Sequence, residues 1–379
     1  MIYRLWPLMI GACALGLDAY VLAGILPDIA LDLSTTQSVI GIGIALFTAV
    51  YAVTAPTLSF LSSIYRTRTT LLLGLSIFIL GNLMTIFTSS TYLFLISRIV
   101  AGMGAGIYSP LAASSATGMV ADEQRGRALS LILAGLSIGT AIGVPIGLVV
   151  AKFWGWRATI VIITLLAVTA IIGIVRCPSN QFPKAKKLTW KDRVLSLRTP
   201  FTIATLGVTT LTAITSLGLY TYIATIVGSS GNGAYLNMFI WLWGIGGMIG
   251  SLYIGRFIDK KLSPHRATLI ILSSLAISFL LIFEGSMVSI CIGCFIWGIS
   301  GWASIAPQQH TLITRSDKSH STALIAWNSS LNYLGGAVGT LGVGVSLSYH
   351  LSTHWMPVIA SVICAVAIVL HTLKSKKLR

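Results

Sequence analysis

Leu5-Trp-Pro-Leu-Met-Ile-Gly-Ala-Cys-Ala-Leu-Gly-Leu-Asp18-Ala-Tyr20-Val-Leu-Ala-Gly-Ile-Leu26 is an apolar run of 22 residues broken by one acid. A helix needs about 20 apolar residues to cross a bilayer, so this segment can span, with Asp18 deep inside it. The run is too long for a signal peptide and no cleavage site follows, so it reads as a retained span. Eleven comparable runs follow: Ser38–Leu61, Thr69–Thr88, Tyr92–Met119, Ala128–Ala151, Ala158–Val175, Phe201–Val227, Leu236–Ile258, Ala267–Phe283, Met287–Ala306, Thr322–Leu347 and Met356–His371. They are continuously apolar and lack the period of two that a barrel strand would show. Backbone groups in lipid must be satisfied within their own segment, so each run is expected to be a helix.

The composition agrees. Of 379 residues, 55% are apolar and 9% charged, where a soluble domain carries about 25% charged residues. With a mean hydropathy of +0.89, the chain cannot present a water-facing surface. A soluble enzyme, a disordered chain, a disulfide-stapled secreted domain and a singly anchored protein are all excluded. The expected fold is an all-α integral membrane protein of twelve transmembrane helices.

The net charge of +16 would suggest nucleic acid in a soluble protein. Once the spans are placed it reads differently. With the N-terminus inside, 22 of the 25 basic residues fall in inner segments, and only Lys152 and Arg157 fall outside. The remaining one, Arg98, lies within a span. So lopsided a distribution predicts both termini in the cytoplasm, with the positive loops facing anionic lipid rather than nucleic acid. The longest loop, Arg176–Pro200, contains Pro178, Pro183 and seven basic residues. It divides an N-terminal six-helix bundle (1–175) from a C-terminal one (201–379), with 176–200 as a cytoplasmic linker. A shift of 196 residues places Gly102 on Gly298, Ser63 on Asp259, Gly139 on Gly335 and Gly143 on Gly339. That common offset points to a duplicated, pseudo-symmetric unit, as parallel transporter repeats require.

Several segments resemble the major facilitator superfamily. Within it the chain is similar to the twelve-span drug:proton antiporter group, in the branch with chloramphenicol and sugar-efflux transporters. Asp18-Ala-Tyr-Val-Leu-Ala-Gly-Ile-Leu-Pro27 resembles that branch's opening segment. Arg98-Ile-Val-Ala-Gly102-Met-Gly104 resembles the superfamily's Arg-x-x-x-Gly-x-Gly motif. Gly139-Thr-Ala-Ile-Gly143-Val-Pro145-Ile-Gly147 resembles the exporters' glycine-proline motif, flanked by loop signatures at Asp122–Arg127 and Gly155-Trp156-Arg157. The resemblance implies the major facilitator fold, a bacterial inner-membrane location and efflux by alternating access. One loop departs from the pattern. Where the family reads Gly-x-x-x-Asp-Arg, this chain has Ser59-Phe-Leu-Ser-Ser63-Ile-Tyr-Arg66 and lacks the acid. The second-half copy, Gly255-Arg-Phe-Ile-Asp259-Lys260, keeps it. An N-terminal latch built on that acid would therefore be weaker or made of other groups.

Of nine acids only Asp18 lies well inside a span. A charged side chain there costs several kcal/mol even on lenient scales, so its presence asks for a use. A carboxyl group in such surroundings can load and release a proton as its neighbours change, which a proton-coupled exporter needs. The competing reading is a permanent structural ion pair. Asp18 lies nine residues before Pro27, roughly 13 Å from the outer boundary, and Arg98 six residues after Tyr92, roughly 9 Å from it. Arg98 keeps its charge, so it must find a carboxylate, carbonyls or a substrate anion. It is either the partner that controls protonation of Asp18 or a brace on backbone carbonyls.

Gly135, Gly139, Gly143 and Gly147 recur every four residues on one helix face, where small residues allow close helix approach. Pro145 bends that helix and frees a carbonyl. In the family such a face lies between the halves, so it is expected to be a sliding seal; static packing of two helices is the alternative. Gly335, Gly336, Gly339 and Gly342 form the counterpart. Gly255, Asp259 and Lys260 complete the expected gating positions. The substrate cavity is expected between the halves near mid-membrane, lined by Tyr20, Asn82, Trp297, Trp302, Asn328, Asn332 and Tyr333. Aromatic walls with a few polar groups suit a lipophilic ligand, although an intramembrane Asn is as often interhelical glue. Trp154, Trp156 and Trp355 are assigned to the interfacial belt.

No phosphate-binding loop, nucleophile elbow or metal cluster appears. The Cys291–Cys294 pair has no accompanying ligands and reads as buried apolar packing. No enzyme, cofactor or metal is expected. The leading function is a monomeric secondary exporter of small neutral or lipophilic compounds driven by the proton gradient. Sugar or polar-metabolite efflux is the alternative. A non-transporting scaffold or receptor would have no use for Asp18.

Overall fold

The computed structural model describes residues 2–58, 66–121, 125–178, 182, 197, 199–260, 263–314, 321–349 and 351–376. Two compact units result, Met1–Lys187 and Leu188–Arg379, and among the described residues every regular element is helical.

The first unit contains α1 (Ile2–Asp32), α2 (Gln37–Leu58), α3 (Thr67–Ile86), α4 (Thr91–Gly118), α5 (Arg125–Ile138), α6 (Val144–Trp154) and α7 (Trp156–Arg176). The second contains α8 (Pro200–Tyr220), the short α9 (Ile223–Ser229), α10 (Leu236–Lys260), α11 (Pro264–Glu284), α12 (Met287–Ala303), α13 (Ile305–Thr314), α14 (Ser321–Ser348) and α15 (Met356–Lys376). All twelve expected spans are helices. Among the described residues ten have the length and apolarity to cross a membrane. The other two, α10 and α14, are 25 and 28 residues long.

Local signals set the boundaries. Ser90, Thr199, Ser263 and Ser286 each accept a bond from the backbone N–H three residues on, capping α4, α8, α11 and α12. Pro200 and Pro264 occupy first-turn positions, where a missing N–H costs nothing. Gly155 at φ 81° separates α6 from α7, and Gly285 at φ 86° ends α11. Such angles strain any residue with a Cβ.

Four elements differ from the sequence expectation; one is the seventh span, which breaks at Thr221 and Tyr222 into α8 and the short α9. The first helix does not stop at Leu26 but runs through Pro27 to Asp32. The fifth span is interrupted by a π-helical turn at Gly139–Gly143. Pro145 follows directly and cannot donate back, so the ladder widens before it. The tenth span breaks at Ser304 into α12 and α13, with Pro307 in the first turn of α13.

The glycine stripe makes its close contacts inside the first unit. A Cβ on Gly135 would strike the Met9 carbonyl, one on Gly139 the Cys13 carbonyl, and one on Gly143 would touch Leu17. These residues press α5 and the π turn on α1, since only glycine lets two backbones meet. The second unit repeats the contact: Gly335 faces the Thr210 carbonyl and Gly339 that of Ile214, on α8. Gly102 likewise abuts the Phe47 carbonyl and Gly298 that of Trp243, both members being 196 residues apart. Two helix pairs thus pack identically in each copy.

Candidate functional site

Asp18 and Arg98 meet inside the first unit. Arg98 on α4 donates from Nη2 to Asp18 Oδ2 at 2.7 Å and from Nη1 to Oδ1 at 3.3 Å. Both side chains are fully buried. The guanidinium lies over the Phe47 ring, 4.7 Å from its centroid, a favourable place for a cation. Its Nε has no partner. Gly102, one turn beyond Arg98, brings α4 against the α2 backbone at Phe47, the residue whose ring lies under the guanidinium. The paired charges are neutral together and enclosed by protein, so removing either leaves the other uncompensated.

The second unit carries no charges at the equivalent positions. Arg98 corresponds to Cys294 at the 196-residue offset. Asp18 corresponds to Thr215 at 197, the offset relating the Cys13 and Thr210 contacts. Thr215 donates to the Thr212 carbonyl at 2.8 Å, and Cys364 contacts its oxygen at 3.5 Å. Nearby, Trp297 donates from Nε1 to Ser216 Oγ at 2.9 Å. Trp297 is enclosed by Phe279 (5.3 Å), Tyr220 (6.1 Å) and Trp243 (6.4 Å, centroid to centroid).

The other expected cavity residues belong to both units. Asn82 is fully buried in α3 and donates to the Phe78 carbonyl at 3.1 Å. Tyr20, Asn332 and Tyr333 are half-buried. Trp302 is also half-buried and packs on Trp243 at 6.0 Å. Asn328 is fully buried and donates to Thr209 Oγ1 at 2.6 Å. Thr209 in turn donates to Gln308 Oε1. Gly255, Asp259 and Lys260 fall at the end of α10, and their side chains lie outside the described residues, as does Ser63.

Two features escaped the sequence reading. Thr209 and Gln308 were not singled out. Thr209 belongs to a stripe, Thr202-Thr205-Thr209-Thr212-Ser216, whose spacing marks one polar face of α8. Gln308 follows Pro307, just past the expected end of its span. The second feature is a clamp at Arg157. It donates to the Ile86 and Thr88 carbonyls (3.1 and 2.8 Å) and to Asp32 Oδ2 (2.6 Å). It lies 4.3 Å over Trp156, which is buried. Trp154 and Trp355 are exposed, as belt residues would be.

Two six-helix bundles of apolar helices, each copy repeating the other's glycine contacts, define a polytopic membrane transport protein of duplicated build. The profile of the Major Facilitator Superfamily matches residues 8–340, and the chain belongs to that family. It is 27% identical over 359 residues to the MFS-type transporter YbcL of Bacillus subtilis, covering 90% of this chain and 88% of the relative. A Chloramphenicol resistance protein of Streptomyces lividans is 27% identical over 262 residues, covering 68% and 67%. The Inner membrane transport protein YdhP of Escherichia coli is 24% identical over 381 residues, covering 99% and 96%. The crystal structure of the POT family transporter PepTSo matches with a TM-score of 0.81 at 11% identity, covering 100% of this chain and 98% of that one. That likeness shows the fold.

Proposed function

We propose that the protein is a proton-coupled exporter of small neutral or lipophilic compounds, working as a monomer by alternating access in a bacterial inner membrane with both termini inside. One observation carries the reading: the acid buried mid-span is bonded to a buried arginine. When Asp18 is ionised the pair is neutral. A proton on Asp18 weakens the charge-assisted bonds and leaves a net cation in an apolar bundle. That state is costly, so it favours the conformation that lets the charge be neutralised again by releasing the proton inward. Inward proton movement is also favoured by an inside-negative potential, by about 2.3 kcal/mol per 100 mV per charge. Substrate leaving as the proton enters completes the exchange. Support for neutral cargo comes from the Streptomyces relative's name and from the uncharged polar groups of the second unit. Those hydroxyls and amides equally favour a second reading, efflux of sugars or other polar metabolites.

Proteoliposomes with an imposed pH gradient, loaded with chloramphenicol and an internal pH dye, test the coupling. Asp18→Asn is expected to lower gradient-driven movement at least about tenfold while solute exchange without a gradient persists. Undiminished gradient-driven transport in that variant would overturn the reading.

A further inference from the structure

Thr209, Gln308 and Asn328 come from α8, α13 and α14 and are each at least 97% buried. Asn328 donates to the Thr209 hydroxyl, and that hydroxyl donates to Gln308. The hydroxyl also lies 3.3 Å from the Thr205 carbonyl; with its one proton given to the nearer Gln308 oxygen, one amide is used as donor and the other as acceptor. Two ends remain: Asn328 Oδ1 and Gln308 Nε2 are buried and have no partner. Turning both amides over exchanges these ends without pairing them.

Packing does not require this cluster. At the offsets relating the two copies, the same three positions of the first unit are Ala12, Ala112 and Ile132, all buried. The fold is therefore satisfied by apolar residues there. An unpartnered buried acceptor and donor, kept where the duplicate has none, need an occupant that supplies one donor and one acceptor. The cluster is also closed at one end. Leu206, Leu312 and Leu324, one turn away on the same three helices, form a buried apolar cluster. On the other side, one turn along α14, Asn332 is half-buried and has no hydrogen bond among the described residues. Four residues before Gln308 the tenth span is broken at Ser304, so Gln308 sits on a separate short segment, α13.

We propose that Thr209, Gln308 and Asn328 form a subsite for a neutral group that both donates and accepts hydrogen bonds, a hydroxyl of the transported compound. This rests on the exporter reading and narrows its cargo to uncharged molecules carrying such a group. Charged cargo gains nothing there, because the cluster offers no countercharge. The leucine layer beneath it holds the bound group away from the adjacent end of the unit.

The test uses full-length protein in lipid nanodiscs, with chloramphenicol and its diacetate ester as probes. The ester lacks both hydroxyl donors. Thr209→Val, which keeps the shape and removes the hydroxyl, is expected to weaken chloramphenicol binding about tenfold with a smaller effect on the diacetate. Asn328→Leu removes the unpartnered acceptor and should likewise cost the free alcohol more than the diacetate. Gln308→Met removes a donor whose partner would be an oxygen that both probes keep, so it should weaken both. Thr209→Ser should keep the preference for the free alcohol. If Thr209→Val fails to fold, Asn328→Leu and Thr209→Ser carry the measurement. Equal losses for both probes in Thr209→Val or Asn328→Leu would mark a purely structural cluster and overturn the proposal, as would wild-type affinity in Thr209→Val and Gln308→Met, or no saturable binding to the wild type. Proton coupling is read separately with Asp18→Asn, so the subsite and the exporter reading fail independently.

Discussion

Arg98 can be matched by a carboxylate or by carbonyls, and its two Nη atoms choose the carboxylate of Asp18. The choice has an energetic signature. Arg98→Ala strands a buried carboxylate and should destabilise the protein by about 3–5 kcal/mol, seen as a lower melting temperature in detergent. Replacing both members, Asp18→Leu with Arg98→Met, removes the charges together and should recover most of that loss. If the pair is only a brace, the double variant should still transport down a pH gradient. If it carries the proton, the double variant should be stable and uncoupled. Depth made the pair one of two readings, since two spans of the same unit put their single charges at similar distances from one boundary, but a brace on backbone carbonyls fitted the sequence equally. The Thr209 cluster was not legible. A threonine on a threonine-rich helix and a glutamine beyond a proline look like background until their contacts are known, and only Asn328 stood out.

Among helices, the glycine stripe was legible as a close-contact face, but its partner was not. Periodicity says which side of a helix is small and leaves open what lies against it. The partner proves to be α1, whose Cys13 and Met9 carbonyls sit where side chains would be. Gly139→Ala should therefore force α5 away from α1 and cost about 1–3 kcal/mol. Gly342→Ala is the control. It is exposed on α14 with nothing near its missing Cβ, so it should be neutral or stabilising by up to about 1 kcal/mol. Equal melting temperatures for the two variants would mean that the seam yields easily, and its glycines would then need another explanation. The π turn and the broken tenth span were beyond periodicity for a related reason. Pro145 and Pro307 signal interruption, but whether a helix bends, widens or restarts depends on which neighbours take up the freed carbonyls.

For the whole molecule, the duplication was visible as a few residues sharing one offset, and the structure gives those coincidences a cause. Gly102 and Gly298 each hold a helix against a carbonyl 196 residues apart in the two copies. What differs between copies is polarity. The first holds a charge pair where the second holds Cys294 and Thr215, and the second holds the Thr209 cluster where the first is apolar. This division suits a transporter in which one copy handles charge and the other handles neutral cargo. Orientation remains a matter of electrostatics, and it is testable. Twenty-two of 25 basic residues lie in segments assigned to one side, an asymmetry that sets topology through short loops near helix ends. In a cysteine-free background, Lys187→Cys should react with a membrane-impermeant maleimide only in inside-out vesicles, and Ser90→Cys only in intact cells stripped of their outer barrier. The opposite pattern would invert the protein. The sense of coupling would not change with it: alternating access runs both ways, so an exchanger sends substrate out as protons enter whichever way it is inserted.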